Sequence, residues 1–341
     1  MKKNAIFALI AVAAFAVMAF GDTLINGAGA TFPYPMYSKW FSEYKKKNPM
    51  VQINYQSRGS GAGIQQVTAG TVDFGAADVT MNDMQLKEFA DKRGSDILHF
   101  PTVIGAVVPA YEIKGVTATI NFTAAALAGI YLGKITQWND PELTKANPGV
   151  NLPKADIVVV HRAEASGTSF IWTDYLAKVS PEWKMKVGSA SSVNWPVGLG
   201  GQGTEGVAGQ IKQTPNTIGY IELTYALQNK IPYGKVQNAA GDFVLADLNS
   251  VTAAAAGAAK TMPDDFRVSI TNAPGKTAYP ISSFTWLLIP AKISDPTKKK
   301  ALTDFLAWML KDGQTMTEAL SFAPLPKEVV AKETKAIAKI K

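Results

Sequence analysis

No cysteine occurs in this 341-residue chain, and histidine occurs only twice. Without thiols there is no disulfide, no thiolate metal site and no lipid-bearing cysteine at a processing site. His99 and His161 lie far apart, neither with a second histidine at ligand spacing, so structural roles are expected of both and a metal centre of neither. A Ser-His-Asp hydrolase would need one of them as its base, and His161 adjoins Arg162, whose charge disfavours a second one. Charged residues make up only 18% of the chain, and its lysines and arginines are scattered rather than striped, which weighs against nucleic acid as a partner.

What is present begins with Lys2 and Lys3 followed by an apolar run from Ala5 to Phe20, too short to span a bilayer and ending in small residues. This pattern predicts a secretory signal peptide over residues 1–21, with cleavage after either Ala19 or Gly21. The expected product is exported to the periplasm without a lipid anchor. Removing Lys2 and Lys3 lowers the formal charge from +7 to +5, mildly basic and suited to a small anionic ligand. The remaining chain of about 320 residues exceeds what one core usually fills, so two domains are expected.

Three times the chain runs from an apolar strand through a small polar segment into a helical pattern, the order of elements in an open α/β sheet. Val51, Ile53 and Tyr55 alternate before Gly59-Ser60-Gly61-Ala62-Gly63; Val72, Phe74 and Ala76 alternate before Asp78; Ile157 to Val160 leads into His161 to Thr168. Gly27 to Pro33 precedes a further helical pattern carrying Met36, Trp40, Phe41 and Tyr44. In such sheets ligands sit beyond the carboxyl ends of strands, where helix N-termini present unpaired N–H groups. Other conspicuous stretches have plainer readings. Lys45-Lys46-Lys47 closes a helix, Ala253 to Ala259 is helical, and Gly198 to Gly203 is a structural loop. Lys298-Lys299-Lys300 and the tail from Lys327 to Lys341 are solvated helix faces.

The 59–63 loop lacks both the spacing of the dinucleotide fingerprint and the lysine of a nucleoside-triphosphate loop, yet its glycines let N–H groups converge on an oxyanion beside the Ser60 hydroxyl. Arg162 followed by Ser166, Gly167 and Thr168 fits a tetrahedral oxyanion, or else Ser166 is a simple helix cap and Arg162 a surface residue. Asp78 is the informative residue. A carboxylate in an anion site repels the ligand unless the ligand carries a proton to donate, as phosphate does and sulfate at neutral pH does not.

With these blocks assembled, the chain resembles the periplasmic phosphate-binding proteins of high-affinity phosphate ABC transporters over nearly all of residues 22–341. The resemblance rests on GAGATFP (27–33), VDFGAAD (72–78), FPTVIGAVV (100–108), IYLGKITQW (130–138), RAEASGTSF (162–170), WPVGLGGQG (195–203) and IGYIE (218–222). It implies an α/β, two-lobed periplasmic binding protein of type II, each lobe an open mixed sheet flanked by helices, with two crossings near Thr102 and Ser282. Lobe one would then be 22–102 plus 283–341, and lobe two 103–282. The implied ligand is inorganic phosphate, held by Thr31, the Phe32 N–H, Ser60, Asp78, Arg162, Ser166, Gly167 and Thr168, with Glu164 orienting Arg162. Permease subunits of the importer are the implied partner, and neither cofactor nor metal nor catalysis is implied; a monomer is expected. The chain departs from the family pattern at Glu164, commonly Asp, at Ala165, commonly Gly, and at Gly61, often Ser. Alternatives weighed beside this are a phosphatase using Asp78 or Ser60, a surface protein binding anionic polymers, and a carrier of another oxyanion.

Overall fold

The computed structural model describes residues 22–341, and the expected signal peptide over 1–21 lies outside the described residues. In chain order the strands are β1 (Thr23–Gly29), β2 (Val51–Ser57), β3 (Phe74–Ala77), β4 (Ile97–Glu112), β5 (Asn121–Phe122), β6 (Val158–Arg162), β7 (Leu199–Gly201), β8 (Thr217–Glu222), β9 (Lys235–Gln237), β10 (Phe243–Val244) and β11 (Ser282–Pro290). Eight of them form a mixed sheet in the order β2-β1-β3-β11-β4-β8-β6-β7, and β10-β9-β5 form a small second sheet. Helices pack around the sheet, as the strand-loop-helix repeats predict.

Strand β4 organises the molecule. Nine of its first ten residues pair with β11, from Ile97↔Pro290 to Ala106↔Ser282 with Thr102 skipped, and from Val107 onward it pairs with β8. Strands β1, β2 and β3, which lie beyond β11, are parallel to one another, as are β6, β7 and β8 on the other side. All nine residues of β11 and fourteen of sixteen in β4 are buried, the near-continuous apolar run expected of central strands. Pro101 has no N–H for a ladder, and the β4–β11 register slips at this point, between Thr285↔Val103 and Trp286↔Pro101.

The periodic apolar residues of the helix Tyr34–Lys47 do what the pattern predicts: Met36, Trp40, Phe41 and Tyr44 are buried, and Tyr37 with them, the aromatic ones packing with Tyr55, Phe74, Phe305 and Trp308. On the far side Tyr131, Trp172, Trp195 and Tyr220 form a second aromatic cluster. Both histidines are packing elements. His99 accepts the Met81 N–H, and burial pushes its pKa down to about 4, keeping it neutral; His161 stacks on Trp195 with ring centroids 4.8 Å apart.

The tail departs from expectation. The helix Lys327–Ala336 is not a wholly solvated face, because Val329, Glu333 and Ala336 turn inward and Glu333 is fully buried. Alternating charge marks solvated helices on average, but one position in each turn still faces whatever the helix packs against.

Candidate functional site

The carboxyl ends of β1, β3 and β6 and the starts of three helices bring the sequence-selected residues to one place. Thr31 and Phe32 follow β1, Asp78 follows β3, and Arg162 ends β6. Ser60 opens the helix Ser60–Ala69, and Ser166 caps the helix that Gly167 and Thr168 begin. Thr31, Phe32, Ser60, Asp78, Arg162, Ser166 and Thr168 are all buried, so Arg162 is not a surface residue. Ser166 is nevertheless a helix cap, its Oγ accepting the Ser169 N–H at 3.2 Å. That bond occupies a lone pair and leaves the hydroxyl proton for another acceptor.

Arg162 is held on several sides. Its Nε donates to Glu164 Oε1 at 2.8 Å and its Nη2 contacts the same oxygen, while Nη1 donates to Thr168 Oγ1 at 3.2 Å and Thr204 Oγ1 at 3.3 Å. Glu164 Oε2 accepts the Gly203 N–H at 3.3 Å. The carboxylate therefore links the guanidinium to the start of the helix Gly203–Gln213, and the longer arm of glutamate reaches both. Beneath, the Arg162 N–H donates to the Tyr220 hydroxyl at 3.0 Å.

Asp78 sits opposite, in a network whose proton positions are constrained. Ser60 Oγ accepts the N–H of Asp78 and of Gly167, each at 3.1 Å, so its own proton is directed at Asp78 Oδ2, 3.3 Å away. Thr285 Oγ1 donates to Asp78 Oδ1 at 2.8 Å. Burial pushes the Asp78 pKa up to about 7, against the opposing pull of the Thr285 hydroxyl, the Arg162 guanidinium and the Ser60 hydroxyl. Glu222 nearby is also fully buried; its Oε2 accepts the Thr224 N–H, and burial holds its pKa well above the usual carboxyl range.

Two departures from the family pattern meet here. The Gly61 N–H donates to the Ala165 carbonyl at 3.0 Å, and a Cβ on Gly61 would lie 2.5 Å from the Ala165 methyl. A side chain fits on one of the two positions and not on both. The loop glycines thus serve close packing more than an anion cradle. Gly63 lies so close to the backbone of β1 and β3 that a Cβ would come within 2.7 Å of Ala76 and Ala28 carbonyls, and the Gly61 N–H is engaged by Ala165.

Sequence reasoning missed two residues. Thr204, which follows the Gly198–Gly203 stretch read as a structural loop, stands 3.0 Å from Thr31 Oγ1 while accepting from Arg162. Thr285 touches the Asp78 carboxylate from β11, 207 residues along the chain. The glycine-rich run before Thr204 hinted at a close approach; no local signal marked Thr285.

Buried hydroxyls and N–H groups, one tethered arginine and one carboxyl, with neither histidine placed beside a nucleophile, suit a substrate-binding protein built on a mixed α/β sheet. Residues 18–312 match the PBP superfamily domain. The chain is 43% identical to the phosphate-binding protein PstS of Pasteurella multocida over 333 residues, covering 97% of this chain and 94% of that protein. To the PstS of Xylella fastidiosa strain Temecula1 it is 43% identical over 307 residues, 90% of this chain and 82% of that one. Among solved structures, a high-affinity periplasmic phosphate-binding protein bound with phosphate aligns with a TM-score of 0.72 at 21% identity, over 91% of this chain and 93% of that one. The chain belongs to the PstS family of phosphate-binding proteins within the PBP superfamily, a family of substrate-binding proteins and not of enzymes. Among the described residues no helix is long and apolar enough to cross a membrane, and no three His, Cys, Asp or Glu gather as a metal site would require.

Proposed function

We propose that this chain captures inorganic phosphate between two lobes, residues 22–102 with 283–341 and residues 103–282, and delivers it to the permease of an ABC importer. Thr31, the Phe32 N–H, Ser60 and Asp78 would act from one lobe, and Arg162, Ser166, Gly167 and Thr168 from the other, with Glu164 orienting Arg162. On this reading the protein is exported to the periplasm, loses residues 1–21, carries no lipid and works as a monomer.

The observation that carries the reading is the pairing of one buried arginine with one buried acceptor, Asp78, across the junction of these segments. Uncharged donors and Arg162 suit any tetrahedral oxyanion. Asp78 as carboxylate suits one that brings a proton, and a bare anion against it costs several kcal/mol. Closure is supported by bonds that span the two segments: Gly167 N–H to Ser60 Oγ at 3.1 Å, Gly61 N–H to the Ala165 carbonyl at 3.0 Å, and Tyr225 hydroxyl to the Thr31 carbonyl at 3.0 Å. Contacts available only when both segments meet the ligand shift the population toward the closed form.

Calorimetric titration of protein unfolded and refolded to strip carried ligand, first with phosphate and then with sulfate, tests this. Tight one-to-one binding of phosphate with no heat from sulfate is expected. Equal binding of both, or of neither, would overturn it.

A further inference from the structure

We infer that Thr285 is a specificity-determining positioning residue: its hydroxyl holds Asp78 in the proton-accepting orientation on which phosphate selection depends. This rests on the proposed reading of the site. Thr285 is fully buried and its Oγ1 donates to Asp78 Oδ1 at 2.8 Å. A second acceptor, the Ala77 carbonyl, is farther away at 3.4 Å, and the Tyr37 hydroxyl also neighbours the Thr285 side chain. Oδ2 faces the site, for a Cβ on Gly167 would lie 2.7 Å from it. One oxygen is thus anchored behind, and the other is presented to the helix start that carries Ser166, Gly167 and Thr168. A proton on Oδ1 would force the Thr285 hydroxyl to turn away, so the threonine favours the carboxylate as acceptor over the carboxylic acid as donor.

Thr285 is itself aimed by an irregularity in the sheet. The slipped register at Pro101 leaves Thr102 as an extra residue on β4, opposite Thr285 and Trp286. Bulges redirect side chains and concentrate beside functional sites. Thr102 Oγ1 donates to the Thr285 carbonyl at 3.2 Å and lies 3.1 Å from the Tyr37 hydroxyl, and its own carbonyl accepts Gln314 Nε2 at 2.9 Å. The strand position that presents the Thr285 hydroxyl is therefore tied, through Thr102, to Tyr37 and to Gln314. Other charged or titratable groups around Asp78 are Arg162 ending β6, Glu222 ending β8, Tyr37 and Tyr55 behind it, and Arg267 across a cavity of about 110 Å³. Among the described residues only Thr285 and Ser60 have side chains hydrogen-bonded to the Asp78 carboxylate.

The test compares refolded wild type with Thr285→Val and Thr285→Ala, which lack the hydroxyl, and Thr285→Ser, which keeps it. Phosphate and sulfate affinities are measured by calorimetry from pH 5.5 to 8.5. Removing the hydroxyl should weaken phosphate about tenfold at pH 8 while sparing sulfate, so the ratio narrows. The pH below which discrimination fades should rise by about one unit, since the carboxylate has lost a donor. Serine should restore both. Valine and alanine variants with the wild-type ratio and pH profile, or a serine variant that fails to rescue, would overturn the inference. Failure of wild type to bind phosphate would instead overturn the reading on which it rests.

Discussion

Gly61 and Ala165 are locked together: the Gly61 N–H donates to the Ala165 carbonyl at 3.0 Å, and any Cβ on Gly61 would stand 2.5 Å from the Ala165 methyl. The contact joins the start of the Ser60 helix to the loop after Arg162, the junction that closes over a ligand on the proposed reading. Gly61→Ser should therefore hold the two apart and weaken phosphate binding by about fivefold to a hundredfold, roughly 1–3 kcal/mol of overpacking. Gly61→Ser combined with Ala165→Gly should recover most of the loss. A double-mutant cycle measured by calorimetry checks this, and additive effects would show that the contact is not coupled to closure.

Arg162→Ala should nearly abolish binding. Truncating one member of a buried, hydrogen-bonded charge pair costs about 2–5 kcal/mol, roughly thirtyfold to several thousandfold in affinity. Part of that loss comes from leaving Glu164 without its partner. Arg162→Lys should recover little, because one ammonium cannot replace a fork that reaches Glu164, Thr168 and Thr204 together. Affinities of both variants for phosphate provide the check; a lysine variant near wild type would mean that charge alone is read.

Selectivity should depend on pH. Because burial raises the Asp78 pKa to about 7, the carboxylate prevails above that value and the carboxylic acid below it. The acid can donate a hydrogen bond to an unprotonated oxyanion, so sulfate affinity should rise as pH falls from 8 to 5.5. In Asp78→Asn, whose amide donates at every pH, sulfate binding should be stronger at pH 8 than in wild type and should lose this pH dependence. Unchanged discrimination in the asparagine variant would remove Asp78 as selector.

Glu333 predicts a stability effect away from the site. It is fully buried, neither carboxyl oxygen has a hydrogen-bond partner among the described residues, and burial holds its pKa well above the usual range. A carboxyl with a raised folded pKa contributes stability that is present below its unfolded value of about 4.3 and is lost as pH rises through the folded one. Glu333→Met should raise the melting temperature, more at pH 8 than at pH 4.5. Equal shifts at both pH values would show that ionisation is not what glutamate costs there.

Much of this protein was legible in its sequence because the relevant signals are local. Strand alternation, a polar turn and a helix start occupy one short stretch, so the loops after β1, β3 and β6 could be placed beyond the carboxyl ends of strands from spacing and the general geometry of open α/β sheets. The protonation argument at Asp78 likewise needed only the chemistry of one carboxylate. What only tertiary structure decided are the contacts that join distant segments: Thr204 against Thr31 across 173 residues, Thr285 against Asp78 across 207, Gly61 facing Ala165, and the inward turn of Glu333. A threonine or glycine carries no local mark of the partner it will meet. That partner is set by how strands order themselves in the sheet and by where a proline shifts their register, properties of the whole packed chain.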